Sequence, residues 1–312
     1  MQNIIVVLGT GGTIAGTSAV AGDDIGYTAA QIGVAQLVKA MPALAGVPLE
    51  CEQVAQIDSK DMGFAVWRAL ALRASHHLAR PEVAGVVVTH GTDTLEETAY
   101  FLQRVLAPNK PLVMTAAMRP ATSPQADGPQ NLLDAVRVAG HTAVHGVVVV
   151  LNGHVHCAHD VRKTHTYRMD AFSSGDAGVV GMVSNGQVRV LRARPQGVAV
   201  GIEILPVDEA AWPRVEIVHS HAGVDGTLVR LLCTAGVRGL VVAATGNGTV
   251  HHALEAALVL AQAQGVKVLR SSRCLGGRVL PRADELLPSA DDLTPVKARI
   301  ELLLELLKPP SA

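Results

Sequence analysis

Threonine and glycine dominate two short runs that each follow an apolar stretch of the chain. Residues 9–16 read GTGGTIAG, and residues 90–94 read HGTDT. Each run would place a hydroxyl group where a strand ends in a flexible turn. A threonine hydroxyl is a weak nucleophile that needs a base or a lowered pKa. Neighbouring glycines let backbone N–H groups approach and stabilise a developing oxyanion. The two runs together suggest nucleophilic chemistry by threonine.

Each run also has a simpler interpretation. The turn at Gly11–Thr13 could merely connect a strand to a helix, or it could cradle a phosphate, although its glycine spacing misses the dinucleotide-binding pattern. The side chains of Thr92–Thr94 could form a helix N-cap. Asp93 could instead hold a cationic group of a substrate or orient a lysine. The residues alone leave these alternatives open.

The elements around these runs alternate between apolar strands and amphipathic helices, which is typical of an α/β fold with a parallel sheet. In such sheets ligands bind outside the carboxyl ends of the strands, so we expect Thr13 and Thr92 to line one crevice. The predicted strands are Asn3–Leu8, Val83–Thr89, Leu112–Ala116 and Gly146–Leu151, and the predicted helices are Leu95–Ala107 and Pro129–Ala139.

The second half of the chain predicts a smaller domain of the same class. A hairpin is expected around Asn185 and Gly186, followed by a proline-punctuated linker. We therefore predict a larger N-terminal α/β domain over 1–190 with a mostly parallel sheet, a linker over 191–213, and a C-terminal parallel-sheet α/β domain over 214–312. Its predicted strands are Val215–His219, Gly239–Ala244 and Val266–Arg270, and its predicted helices are Asp225–Ala235, Val250–Gln264 and Thr294–Leu307.

The composition excludes several classes of function. Of 312 residues 49% are hydrophobic and 17% charged, and the formal net charge is −1, which provides no basic surface for nucleic acid or an anionic membrane. We expect no signal peptide and a cytoplasmic location. The four cysteines, which form no CxxC pair, are expected to be reduced and mostly buried.

The two threonine runs resemble the signature segments of the bacterial-type L-asparaginase/glutaminase family. The resemblance extends over essentially the whole chain, in the order of the family. It implies hydrolysis of the side-chain amide of L-asparagine to L-aspartate and ammonia through a threonine acyl-enzyme, without a cofactor. It also implies a homotetramer of close dimers, in which a neighbour's C-terminal domain completes each site. Further matching segments are AMRP at 117–120, ADGPxNL at 126–132, DVxKT at 160–164, GNG at 246–248 and SSR at 271–273.

The resemblance also implies the catalytic residues. Thr13 would be the nucleophile, at the start of a mobile loop that continues over Gly16–Gly26. Tyr27, at the end of this loop, would hydrogen-bond Thr13 and help to remove its proton. Thr92, Asp93 and Lys163 would form a second triad, in which Asp93 holds Lys163 and Lys163 assists Thr92.

Substrate recognition is implied in the same way. Ser59 would bind the α-carboxylate and Asp93 the α-ammonium group, with Gly12, Thr92 and Asn247 as further contacts. Lys60 departs from the family, which often has glutamine there, and an inward ammonium would repel the substrate. The acidic side chain that the family lends across a subunit interface has only two candidates here, Asp284 and Glu285.

Two other functions remain open for this chain. A broad-specificity glutaminase-asparaginase is the second enzyme hypothesis, and an amino-acid-binding regulatory protein without turnover is a third.

Four histidines lie near Asp160 and suggest a metal site, but their spacing favours a structural role. His76 and His77 are interpreted as residues of a helix surface. The four histidines are His154, His156, His159 and His165.

Overall fold

The computed structural model describes residues 3–20, 23–193, 197–283 and 285–309. Asp284, one of the two acidic candidates, lies outside the described residues. So do 21–22 of the predicted loop and 194–196 of the predicted linker. The chain divides into two compact units, Met1–Ile202 and Glu203–Ala312, and this division falls inside the predicted linker.

The N-terminal unit contains an eight-stranded sheet in the order β10-β9-β6-β5-β4-β3-β1-β2, and a separate two-stranded ladder of β7 and β8. Strands β1 to β5 pair in parallel, whereas β6, β9 and β10 are antiparallel. The mostly parallel α/β fold predicted from the sequence is thus confirmed. The strands are β1 (Ile4–Gly11), β2 (Leu49–Ile57), β3 (Val83–Thr89), β4 (Leu112–Thr115), β5 (Val147–Leu151), β6 (His154–Cys157), β7 (Arg162–Lys163), β8 (Phe172–Ser173), β9 (Gly181–Ser184) and β10 (Gln187–Val190).

The central strands form the core of this unit because they are apolar on both faces. All residues of β4 and β5 are buried, and valines of β1 and β3 pack with helix α4 in one cluster. Helix α3 buries one face and ends at Ala107 in a left-handed conformation, directly before Pro108. The helices of this unit are α1 (Val34–Lys39), α2 (Phe64–Ala79), α3 (Leu95–Leu106) and α4 (Gly128–Ala139).

The strand order β2-β1-β3-β4-β5 creates a switch point between β1 and β3, where the direction of the chain's progress across the sheet reverses. Open sheets of this kind bind ligands outside the carboxyl ends of the strands at such a point. The first threonine run begins in the last residues of β1, and the second follows β3 directly. The fold therefore brings both of them to the position that this topology favours.

The C-terminal unit has a parallel three-stranded sheet in the order β11-β12-β13, which agrees with the predicted smaller α/β domain. One cluster of buried residues joins the three strands to the helices that follow β11 and β12. Thr294 caps the last helix, because its side chain accepts a hydrogen bond from the backbone of Lys297. The elements are β11 (Val215–His219), α5 (Thr227–Thr234), β12 (Gly239–Ala244), α6 (His252–Ala263), β13 (Lys267–Ser272) and α7 (Pro295–Leu307).

The exposure of the four cysteines differs from the expectation. The cysteines are free, but Cys51 and Cys274 are exposed and the other two are half-buried, so the prediction of mostly buried thiols is wrong. Cys51 is exposed because it lies on β2, at the edge of the large sheet. Within the described part of the chain, no helix is long and apolar enough to cross a bilayer.

Candidate active site

The two threonine runs touch each other through glycines. Gly12 has a φ of +82°, and a Cβ atom on it would lie 2.3 Å from the backbone nitrogen of Gly91. A Cβ atom on Gly91 would in turn lie 2.4 Å from Oγ of Ser59. Only glycine permits this conformation and these approaches. The turns after β1, β2 and β3 therefore meet at one point, with Thr13 and Thr92 as the residues next to the two glycines.

Thr13 begins a short 3-10 turn, Thr13–Ala15, and is buried. Its Oγ1 atom shares a hydrogen bond of 2.6 Å with the phenol oxygen of Tyr27. Tyr27 lies beside an antiparallel bridge between Thr17 and Thr28, which closes the base of the loop. The hydroxyl expected to attack is thus in contact with the group expected to take its proton.

Thr92, Asp93 and Lys163 form a second cluster. The ammonium of Lys163 donates to Oγ1 of Thr92 at 2.9 Å and to Oδ1 of Asp93 at 2.7 Å. The Lys163 side chain is 19% exposed and Thr92 is buried, whereas the Asp93 carboxylate is half-exposed. The short β7–β8 ladder holds Lys163 by pairing it with Phe172. A cation therefore lies against the second hydroxyl, with its carboxylate partner facing solvent.

Ser59 begins the 3-10 turn that follows β2 and is buried. Its Oγ accepts a hydrogen bond of 3.2 Å from the backbone of Asp93, and its carbonyl accepts one of 2.8 Å from Oγ1 of Thr94. Thr94 occupies the N-cap position of α3 but makes no side-chain cap. The N-cap interpretation is therefore wrong for Thr94, because its hydroxyl is used to connect two turns.

His90 supports the same turn and was not singled out by the sequence analysis. It is fully buried, and Nδ1 donates to the carbonyl of Gly91 at 2.7 Å. Burial lowers the pKa of His90 to about 4, so the imidazole is neutral at neutral pH. The sequence signal for this role is a histidine placed directly after a buried strand. Its neutral ring fixes the backbone conformation that precedes Thr92.

Two of the predicted substrate contacts, Gly12 and Asn247, are already hydrogen-bonded within the protein. The N–H of Gly12 donates to the carbonyl of Ile57 at 3.0 Å, so it is not free to bind an oxyanion. Strand β2 uses this donor, and the substrate contact expected of Gly12 stays a prediction. Asn247 lies in the C-terminal unit, where its amide pairs with the backbone of Leu280 at 3.2 and 2.7 Å.

The two departures from the family have structural explanations. The ammonium of Lys60 pairs with Asp58 at 2.8 Å and with Asp61 at 3.4 Å, and its side chain is 62% exposed. Asp58 raises the pKa of Lys60. Glu285 forms an ion pair with the buried guanidinium of Arg270. Both charges are therefore balanced by neighbours within their own unit.

The histidine cluster does not converge on one point. His156 shares a hydrogen bond with Ser174, and His165 accepts hydrogen bonds from its own turn. Among the described residues, no group of three or more potential ligands could hold a metal ion. His77 is not a surface residue as predicted: it is buried and pairs with Glu52 of the edge strand β2 at 2.8 Å.

Comparison with known proteins decides the family. The model "Asparaginase, N-terminal" matches residues 4–196, and the model "Glutaminase/Asparaginase C-terminal domain" matches residues 214–311. The chain belongs to the asparaginase family. The resemblance read from the two threonine runs is thereby confirmed.

Individual members of the asparaginase family match over nearly the whole chain. L-asparaginase 2 of Bacillus subtilis is 37% identical, over 97% of this chain and 82% of that protein. A glutaminase-asparaginase of Pseudomonas fluorescens is also 37% identical, over 97% of this chain and 86% of that protein. A crystal structure of a probable cytoplasmic L-asparaginase from Campylobacter jejuni superposes with a TM-score of 0.90 at 38% identity, covering 98% and 96% of the two chains.

Proposed function

We propose that the protein is an L-asparagine amidohydrolase that releases L-aspartate and ammonia. The observation that carries this proposal is the meeting of the two threonine turns, with Tyr27 on Thr13 and Lys163 on Thr92. The relatives named L-asparaginase support the choice of substrate.

The proposed reaction begins at Thr13. Its Oγ1 attacks the side-chain amide carbon of asparagine, while Tyr27 takes the hydroxyl proton through their hydrogen bond. That proton is passed to the amide nitrogen, which leaves as ammonia, and an ester of Thr13 remains. Splitting hydrolysis into two steps in this way is the advantage of a covalent intermediate.

The second triad is proposed to complete the hydrolysis. The Thr92 hydroxyl, in contact with the Lys163 ammonium, orients the amide and then the water that attacks the ester. Asp93 holds Lys163 in place. The water adds to the ester carbon, its proton returns to the oxygen of Thr13, and aspartate leaves.

Recognition of the amino-acid end is assigned to the turn after β2. Ser59 is proposed to bind the α-carboxylate and Asp93 the α-ammonium group, with Thr92 and Asn247 as further contacts. Because the Lys60 ammonium is drawn to Asp58 and Asp61, it need not repel the substrate. Ser59 and Asp93 are already joined by a hydrogen bond, which supports a shared role.

Domains, assembly and location are part of the proposal. Residues 1–190 would carry the catalytic groups and 214–312 the second domain, joined by 191–213. We propose a homotetramer and a cytoplasmic location, the latter supported by the description of the Campylobacter jejuni structure. A Haemophilus influenzae relative at 36% identity is described as periplasmic, so fractionation of the native host tests the location. Light scattering of the purified protein tests the assembly.

The glutaminase-asparaginase alternative is favoured by relatives that carry that name. Ammonia release by the purified protein from L-asparagine and from L-glutamine separates the two enzymes. We expect kcat/KM to be higher for asparagine. Equal values for the two amides would favour the broad-specificity enzyme, and binding of L-aspartate without any ammonia release would show a binding protein.

A further inference from the structure

A segment that follows β4 is attached to the loop between Thr13 and Tyr27. The backbone N–H of Ala121 donates to the carbonyl of Gly16 at 3.0 Å. The backbone N–H of Ser18 donates to Oγ1 of Thr122 at 2.9 Å. These two hydrogen bonds fix the outgoing side of the loop, which leads away from Thr13.

The returning side of the loop is attached to the same segment by an ion pair. Nε of Arg119 lies 3.3 Å from Oδ2 of Asp24, and the two side chains are 8% and 18% exposed. Within the described part of the chain, Oδ1 of Asp24 is buried and has no hydrogen-bond partner. A carboxylate removed from water in this way depends on its cationic partner. Arg119 therefore supplies the charge that balances the Asp24 carboxylate.

Arg119 is itself held in one orientation. Its Nη1 donates to the carbonyl of Tyr167 at 2.8 Å and to that of Met118 at 3.1 Å. Its guanidinium carbon lies 3.9 Å from the centroid of the Tyr167 ring. A guanidinium stacked on an aromatic face and bonded at its rim has little freedom. Asp24 is consequently anchored to a rigid point of the N-terminal unit.

Asp24 precedes Tyr27 by three residues. Thr28, the residue after Tyr27, is bridged to Thr17. Tyr27 thus lies between two fixed points on the returning side of the loop. We propose that Arg119 is a positioning residue, which clamps the loop through Asp24 and so keeps the Tyr27 hydroxyl on Thr13. This inference rests on the proposed function for its effect on rate, but the clamp itself is a statement about the loop.

The test is Asp24→Asn in the full-length protein. We expect kcat to fall by about 10-fold to 100-fold, because displacing a catalytic group by an ångström has effects of this size. KM should change less, since Ser59 and Asp93 lie on other turns. Hydrogen exchange of the backbone amides in 16–28 should be about 10-fold faster, because local opening becomes easier.

The control is Asp23→Asn, which removes the same charge one residue away. Asp23 accepts hydrogen bonds from the amides of Ile25 and Gly26 through one oxygen, which asparagine can retain. This variant should have the kcat and the exchange rates of the wild type. Equal losses in both variants would overturn the clamp, as would unchanged kcat and exchange in Asp24→Asn.

A double-mutant cycle tests whether the effect passes through Tyr27. Once Tyr27→Phe has removed the hydroxyl, Asp24→Asn should reduce kcat further by less than about 2-fold, because residues that act as a unit are not additive. Additive losses would contradict the positioning role. On the other side of the clamp, Tyr167→Phe keeps the ring and should behave as wild type, whereas Tyr167→Leu should accelerate exchange in 16–28.

The exchange experiment separates this inference from the proposed function. If the wild-type protein releases no ammonia, the activity is refuted, but faster exchange in Asp24→Asn and not in Asp23→Asn still supports the clamp. If ammonia is released and Asp24→Asn behaves as wild type in both measurements, the clamp is refuted and the activity stands.

Discussion

Thr92 and Thr13 lie in turns that touch, yet they are held by different means. The turn of Thr92 is fixed by side chains from several strand ends: Ser59 accepts from Asp93, Thr94 donates to Ser59, and Lys163 donates to Thr92. The partner of Thr13 is instead carried by a loop. Tyr27 reaches it from 14 residues further along the chain.

The two hydroxyl groups of one site are thus supported in two different ways. The Thr92 centre is anchored to buried strand ends, so it is preorganised before any substrate arrives. The Thr13 centre depends instead on the attachments of one loop, which join Gly16 to Ala121 and Asp24 to Arg119. Four substitutions test this division of roles.

Thr13→Ala has the largest predicted effect. It removes the nucleophile, and losses of about 10³-fold or more in kcat are typical of such a change. Thr28→Ala is the control, because Thr28 is on the same loop and its contact with Thr17 is between backbones. Initial rates of ammonia release measure both variants. Near-normal turnover by Thr13→Ala would show that Thr13 is not the nucleophile.

Lys163→Met should lower kcat by about 10²-fold to 10³-fold, because the charge that faces Thr92 is lost. Lys60→Met is the matched control, since Lys60 is an exposed lysine beside the site that pairs with Asp58. Its kcat should stay within about 2-fold of wild type, as surface ion pairs contribute little. If Lys60→Met lost more activity than Lys163→Met, Lys60 and not Lys163 would be the cation that the reaction uses.

Thr94→Val removes the donor to the carbonyl of Ser59 while keeping the shape of the side chain. We expect KM for asparagine to rise about 5-fold, with a loss of about 1 kcal/mol in stability from the missing hydrogen bond. Thr294→Val is the control: it removes a true helix cap, so stability should fall by about 1 kcal/mol with KM unchanged. Urea unfolding and steady-state kinetics distinguish the two, and an unchanged KM in Thr94→Val would argue against its connecting role.

Glu52→Gln should have the smallest effect, on stability alone. The hydrogen bond from Arg73 lowers the pKa of Glu52 to about 2, from the usual 4.5. Since the folded pKa is depressed, the stabilisation is complete above pH 4.5 and is lost as the pH falls toward 2. We expect Glu52→Gln to be less stable than wild type by about 1 kcal/mol at pH 7, a size that allows for solvent screening.

That difference should shrink in urea titrations carried out at pH 3. The control is Glu216→Gln, which removes an exposed ion pair with Arg214. Its free energy of unfolding should equal that of the wild type at both pH values. A destabilisation by Glu52→Gln that is equal at both would show that the carboxylate charge has no part in holding the edge strand that leads to Ser59.

The sequence predicts the central strands because they are apolar on both faces, and it predicts the meeting of Thr13 and Thr92 because both follow parallel strands. It does not predict β2, and it places His76 and His77 on a helix without giving the bounds of α2. Strand β2 lies at an edge and is half-exposed, so it lacks a continuous apolar run. The burial of His77 was missed for the same reason, since its partner Glu52 comes from β2.

The finer contacts of the site depend on atoms that are far apart along the chain. Thr94 and Ser59 are 35 residues apart, and no local pattern distinguishes this bond from a helix cap. The use of the Gly12 N–H by Ile57 follows from an irregularity in the register of β1 and β2. The pairing of Lys163 with Asp93 came from the family resemblance, since a lone lysine carries no such signal.

In the proposed mechanism the acyl group is carried by Thr13 and not by Thr92. Protein quenched in acid during turnover of L-asparagine, digested and mapped by mass spectrometry, tests this directly. We expect an aspartyl ester on the peptide that contains Thr13 and none on the peptide that contains Thr92. An ester on Thr92, or no ester on either threonine while ammonia is being released, would contradict it.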